Sequence, residues 1–152
     1  MNQEKNLLFE KAMDNVPGQN VLVCPLDWGL GHAARCVPII KALEARGKNV
    51  LLAADGFPLE FLKQEFPHLE HISFPGFKVK YATDDNQMGA MFTQLPQFLK
   101  GIRQEHRAIK KICAQYQIDT VISDNRFGLW NRRVYSIYMT HQLVVKMPIK
   151  WH

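Results

Sequence analysis

Short, solid apolar runs alternate along this chain with stretches in which apolar residues recur every three or four positions. The first run, Val21-Leu22-Val23-Cys24, follows Pro17-Gly18 and predicts a strand over residues 20–24. Similar runs predict strands over 50–54, 69–74, 121–123 and 134–139. Between the first two, Val37, Ile40 and Leu43 fall at helical spacing, and Arg46-Gly47 supplies a basic last turn and a stop. Pro38 lacks the N–H that a helix interior needs, so it is expected to open that helix, with residues 32–36 as a tight turn before it. One kinked helix is the alternative. A short helix is predicted over 59–66 and a long one over 91–115, bent at Pro96 or Gly101. Residues 75–90, with Pro75-Gly76 and Asp84-Asp85, read as a loop, and residues 1–19 as a helical or loose extension.

Strands alternating with helices predict an α/β fold, a Rossmann-like, mostly parallel sheet with helices on both faces. No internal repeat interrupts the order. Such a sheet binds its ligands outside the carboxyl ends of the strands. That rule directs attention to residues 25–35, 55–57, 75–85, 124–128 and 140–142.

Composition changes this picture little. The 152 residues are 47% hydrophobic and 22% charged, enough for one domain with a core and too apolar for disorder. No apolar stretch approaches the roughly 20 residues of a membrane span. Glu4, Lys5 and Glu10 around Leu7-Leu8-Phe9 do not form a secretory signal, so a cytoplasmic protein is expected. Cys24, Cys36 and Cys113 lack metal-like spacing and read as buried free thiols. The net charge of +5 favours an anionic partner, a nucleotide or lipid head group before nucleic acid, for which no motif stands out.

The candidate chemistry gathers after the first strand. Gly29 and Gly31 allow a close backbone approach, and a helix start behind them favours an anion. Gly29-Leu30-Gly31-His32-Ala33-Ala34 fits the dinucleotide fingerprint, but Pro25-Leu26-Asp27-Trp28 make the loop longer than that site uses. Asp55 could hold a ribose hydroxyl, or be a surface turn residue. His32 could take a proton or steady a diphosphate, or simply cap the helix. Asp27 could orient His32, act as the base itself, or bond its own backbone. Arg35 could reach a phosphate or remain solvated. His68 and His71 lie three apart with no third ligand near, so no zinc site is expected. Lys100, Arg103, Arg107 and Lys110 share one helix face, which reads as a solvated basic surface or a patch for anionic lipid. "FPGFKVKY", residues 74–81, adds aromatic and basic residues near the cleft.

"WGLGHAAR" after a first strand resembles the glycine-histidine loop of GT-B glycosyltransferases. The likeness is to the family 28-like group that includes the bacterial enzyme adding N-acetylglucosamine to lipid-linked muramyl-peptide. "IYMTHQ", residues 137–142, resembles that group's histidine-containing acceptor motif, although Gln142 stands where the family has an acidic residue. "VISDNRFG", residues 121–128, resembles the fourth-strand segment of GT-B amino-terminal domains.

The resemblance, spanning about Asn20 to Pro148, implies half of a GT-B architecture. Residues 1–19 would be an extension and 20–152 the acceptor-side domain, with the donor-binding second domain not among them. It implies His32 and Asp27 as catalytic residues, and Gly29, Gly31, Arg35, Asp124, Asn125, His141 and Gln142 as acceptor- or diphosphate-binding residues. It further implies a nucleotide sugar as co-substrate, no cofactor or metal, a saccharide or lipid-linked acceptor, and peripheral membrane contact. A metal-dependent GT-A transferase is disfavoured, because no Asp-x-Asp occurs. A non-catalytic saccharide- or nucleotide-binding module and an NAD(P)-dependent oxidoreductase domain are the alternatives.

Overall fold

The computed structural model describes residues 2–76 and 87–140, with side chains for 3–76 and 96–140. Its elements run α1 (Asn2–Asp14), β1 (Asn20–Cys24), α2 (Leu30–Ala45), β2 (Asn49–Ala54), α3 (Gly56–Glu65), β3 (Glu70–Ser73), α4 (Gln87–Gln115), β4 (Thr120–Asp124) and β5 (Tyr135–Met139). The strands form one sheet in the order β3-β2-β1-β4-β5. Every neighbouring pair is parallel, with Leu22 opposite Leu51 on one side and Val121 on the other. The α/β, Rossmann-like class is therefore the observed one.

The solid apolar runs have a simple cause. β1 is covered on both faces, so successive residues must all be apolar. Val21 and Val23 join Ile40, Leu43, Leu62 and Phe66 on the α2–α3 face. Leu22 and Cys24 join Ile109, Cys113 and Leu129 on the α4 face. Each large aliphatic side chain so buried contributes about 1.5–3 kcal/mol. All three cysteines are buried and unbridged, and burial pushes the thiols of Cys24 and Cys36 up to about 12.

α2 departs from expectation. Pro38 does not open it: the helix begins at Leu30 and runs through the proline. Buried Ala33 and Cys36 precede Pro38, and buried Ile39, Ile40, Ala42 and Leu43 follow it, so both halves are anchored to one core. Pro38 and Ala34 occupy exposed positions, where the carbonyl deprived of its N–H can meet water. Residues 87–90, expected in a loop, are the first turn of α4, and residues 77–86 of that loop lie outside the described residues.

The amino-terminal stretch is a docked helix. Phe9 and Met13 of α1 pack against the core, while Arg46 holds Glu10 and Asp14, each at 2.7 Å. At the other edge, β4 and β5 are joined by residues 125–134 without a helix, although parallel strands usually need a longer helical crossover. The short link leaves Tyr135 and Tyr138 of β5 exposed. Among the described residues, no helix is long and apolar enough to cross a membrane.

Asp119 ties the sheet together at its lower edge. Its Oδ2 accepts the backbone N–H groups of Gln19 at 2.7 Å and Asn20 at 2.9 Å, joining the start of β1 to the turn before β4. The bonds from Asn20 and then Gln19 hold the carboxyl below its ordinary range. The folded state thus releases this proton more readily than the unfolded chain. The bonds stabilise the fold above the unfolded value of about 3.9, and that contribution disappears as pH falls through the depressed folded value. Asp119→Asn should be less stable than wild type near neutral pH, with the gap in urea midpoint closing as pH falls below the unfolded value and through the depressed folded one. A gap that does not change with pH would count against this role.

Candidate functional site

The sheet order creates a switch point between β1 and β4, because chain connections leave them in opposite directions. In open α/β sheets this is where a crevice forms outside the strand ends. Cys24 pairs with Ser123 in the register, so the segments following β1 and β4 emerge side by side. His32 and Arg35 come from the first turns of α2, and Asp124 is the last residue of β4.

Three side chains meet there. His32 Nδ1 lies 2.8 Å from Asp124 Oδ2, and Arg35 Nη2 lies 2.9 Å from the same oxygen. Arg35 Nη2 is also 2.6 Å from His32 Nδ1. Asp124 is fully buried, whereas the His32 and Arg35 side chains keep 16% and 34% exposure. A dry carboxylate is thus presented to two partners that reach the cleft. Gly29 precedes α2 with φ of +114°, a conformation open to glycine almost alone. Gly31 is different: it sits inside the first helical turn with open space where a Cβ would be, so no strained turn depends on it.

Asp27 belongs to a second network. It does not orient His32; among the described residues the carboxylate on His32 is Asp124. Asp27 Oδ2 accepts the N–H of Gly76, and its Oδ1 lies 3.8 Å from Arg126 Nη1. Burial raises the Asp27 carboxyl, opposed by the Gly76 bond and by Arg126. Arg126 is itself buried. It donates through Nε to Glu105 Oε1 at 3.1 Å, through Nη1 to the Phe74 carbonyl at 2.9 Å, and stacks over the Phe74 ring at 4.4 Å. Glu105 Oε2 also accepts the N–H of Gly128. Any side chain at Gly128 would collide with Glu105 and the Ile102 carbonyl, so glycine lets this loop lie against α4.

The remaining candidates are dispersed. Asn125 takes φ of +53° and accepts the Tyr138 hydroxyl at 3.3 Å. His141 and Gln142 lie outside the described residues, as do residues 77–81 of the "FPGFKVKY" stretch. Asp55 accepts the Ser73 hydroxyl at 3.0 Å, and His68 pairs with Glu44 at 2.6 Å. No group of three or more His, Cys, Asp or Glu among the described residues could hold a metal. Lys100, Arg103, Arg107 and Lys110 are all exposed. A groove of about 660 Å³ lies between α4 and residues 130–133, lined by His106, Lys110, Trp130, Arg132 and Arg133. It shares no residue with the His32 cluster.

The Arg126 network gives a clear stability test. Removing the guanidinium strands two buried carboxylates and the Phe74 carbonyl, a class of loss that costs about 3–5 kcal/mol. Arg126→Met should therefore lower stability by that order in urea denaturation. Because Arg126 leaves the His32–Asp124 contact untouched, a loss below about 1 kcal/mol would mean the network is not what holds these loops.

No protein-family profile matches the sequence, and no curated protein matches it. Among solved structures, the chain is similar to UGT73P12 of Glycyrrhiza uralensis, solved with glycyrrhetinic acid 3-O-monoglucuronide. The likeness has 12% identity and a TM-score of 0.43, over 71% of this chain and 24% of that one. The chain thus spans about a quarter of that protein's length.

Proposed function

We propose that this chain is the acceptor-side half of a sugar-nucleotide-dependent glycosyltransferase and that His32 handles the acceptor proton. The observation that carries the reading is the pairing of His32 Nδ1 with the buried Asp124 carboxylate at the β1–β4 switch point. A carboxylate accepting from Nδ1–H orients the ring, stabilises the imidazolium that forms, and assigns base chemistry to Nε2. The likeness of "WGLGHAAR" and "VISDNRFG" to GT-B loops supports the same reaction class.

In that reaction the acceptor hydroxyl oxygen bonds to the anomeric carbon as the carbon–oxygen bond to the nucleotide diphosphate breaks. The hydroxyl proton passes to His32, and the diphosphate departs with the bonding electrons. Gly29 and the start of α2 would lie near developing negative charge, where backbone N–H groups are favourable. A second Rossmann-like domain, carried on the same or another polypeptide, would grip the sugar nucleotide. Asn125, His141 and Gln142 are proposed on the acceptor side, and the exposed basic face of α4 would suit a lipid-linked acceptor at an anionic surface.

Two outcomes are expected. The purified 152-residue chain should not turn over a nucleotide sugar; steady transfer by it would refute this division of labour. In the protein completed by its donor domain, His32→Ala should lower kcat by about 10²–10⁴ with the fold preserved by circular dichroism. His32→Gln, which can donate a hydrogen bond but cannot accept the proton, should be equally impaired. Substantial rescue by glutamine would shift the role to the leaving diphosphate, and normal turnover in both variants would remove His32 from the chemistry.

A further inference from the structure

The groove of about 660 Å³ between α4 and residues 130–133 takes no part in the transfer chemistry proposed above. One wall is the last turns of α4, which lead into the amino end of β4. The other is the turn just before β5 begins at Tyr135. The groove therefore lies toward the amino ends of these strands, whereas Asp124 closes the carboxyl end of β4. Lys110, Arg132 and Arg133 line it, and no acidic residue stands among its described lining. Among the described residues, none of these three cations forms an ion pair. Three positive charges from two elements thus share one concave space without a counter-charge. Such a cluster repels itself until an anion enters.

The wall that carries the arginines is held in shape. Asn131 Oδ1 accepts the Arg133 N–H at 3.0 Å, and the Asn131 carbonyl accepts the Val134 N–H at 3.2 Å. The Asn131 N–H in turn donates to Ser136 Oγ at 3.2 Å. The backbone is ordered while both guanidinium groups stay exposed. Beside them Trp130 rests on the His106 ring, with centroids 4.0 Å apart and planes inclined by 32°. The tryptophan still keeps 44% of its surface exposed. His106 Nδ1 is buried with no hydrogen-bond partner among the described residues, which leaves one polar group of this wall unmet. The geometry points to a nucleotide site, with phosphate groups held by Arg132, Arg133 and Lys110 and the flat base stacked on Trp130. Guanidinium groups take phosphate oxygens through paired, charge-assisted bonds, and an indole face accepts any base. The volume falls within the range of about 300–1,000 Å³ usual for small-ligand sites. A bounded groove of this size favours a single nucleotide over a nucleic-acid strand. The inference does not rest on the role proposed for His32.

The test is direct binding to the full chain, with ADP, inorganic pyrophosphate and adenosine as probes. Calorimetry should show ADP binding about tenfold more tightly than pyrophosphate, and adenosine more weakly than either. The indole N–H signal of Trp130, identified by its absence in Trp130→Leu, should move as ADP is added. The double variant Arg132→Gln/Arg133→Gln should weaken ADP about tenfold or more. Trp130→Leu should bring ADP down to the affinity of pyrophosphate while leaving pyrophosphate unchanged. Arg35→Gln, at the other end of the sheet, should leave ADP affinity as it is. No ADP binding at millimolar concentration, or full affinity in the arginine double variant, overturns the proposal. Loss of ADP in Arg35→Gln alone would move the anion to the cleft and overturn the groove. Oligouridylate that binds more tightly with length while ADP does not bind would replace the nucleotide with a nucleic-acid strand. Should a variant fail to fold by circular dichroism, the Trp130 signal in wild type still decides: no movement at saturating ADP overturns the site.

Discussion

Arg126 is the constraint on which the upper edge of this molecule depends. A guanidinium with no exposure to water must place its donors on protein acceptors, and those acceptors come from α4, from the end of β3 and from the loop after β1. Three separately folded segments are thereby brought to one point. A lysine could not substitute, because a single ammonium lacks the planar fork that reaches a carboxylate and a carbonyl in different directions. Gly128 completes the arrangement by letting the loop after β4 touch α4 without a side chain between them. The aromatic face of Phe74 beneath the guanidinium adds a contact that needs no further donor.

Most of the architecture was legible because burial on both faces leaves a strong imprint. β1 and β2 show it as unbroken apolar runs, while β4 is buried throughout with only Val121-Ile122 apolar at its centre, and the alternation of these strands with helices gives the α/β class. The error at α2 has a definite cause. The local penalty alone places Pro38 at a helix start, while the buried residues on both sides of it outweigh one missing hydrogen bond. Helix starts were placed too late in α3 and α4 for a related reason. The apolar period identifies a helix's buried middle better than its exposed first turn.

The site was only half legible. His32, Arg35 and Asp124 each stood out, but their meeting depends on which strands are neighbours, and that order is not written in any local pattern. Once β1 and β4 are adjacent, the end of β4 at Asp124 stands beside the segment that leaves β1 for the first turn of α2, where His32 lies. Asp27 is near His32 in sequence, yet its carboxylate turns to Gly76. Glu105 carries a sequence signal of its own. It is buried on α4 one turn before the fully buried Ile109, where an acidic residue needs a cationic partner.

The two carboxylates near the end of β1 show how one edge can combine rigidity with adjustment. Asp27 faces a backbone N–H and the enclosed Arg126, neither of which can leave without breaking contacts in several segments. Asp124 is equally deprived of water, but its partners sit on the first turns of α2 and keep access to the cleft. Its other oxygen, Oδ1, is buried without a hydrogen-bond partner among the described residues, which concentrates its interactions on Oδ2. A buried charge with two competing partners on one oxygen is sensitive to any change in either. The fixed network therefore sets where the loops stand, and the shared Oδ2 holds the two side chains that reach the cleft.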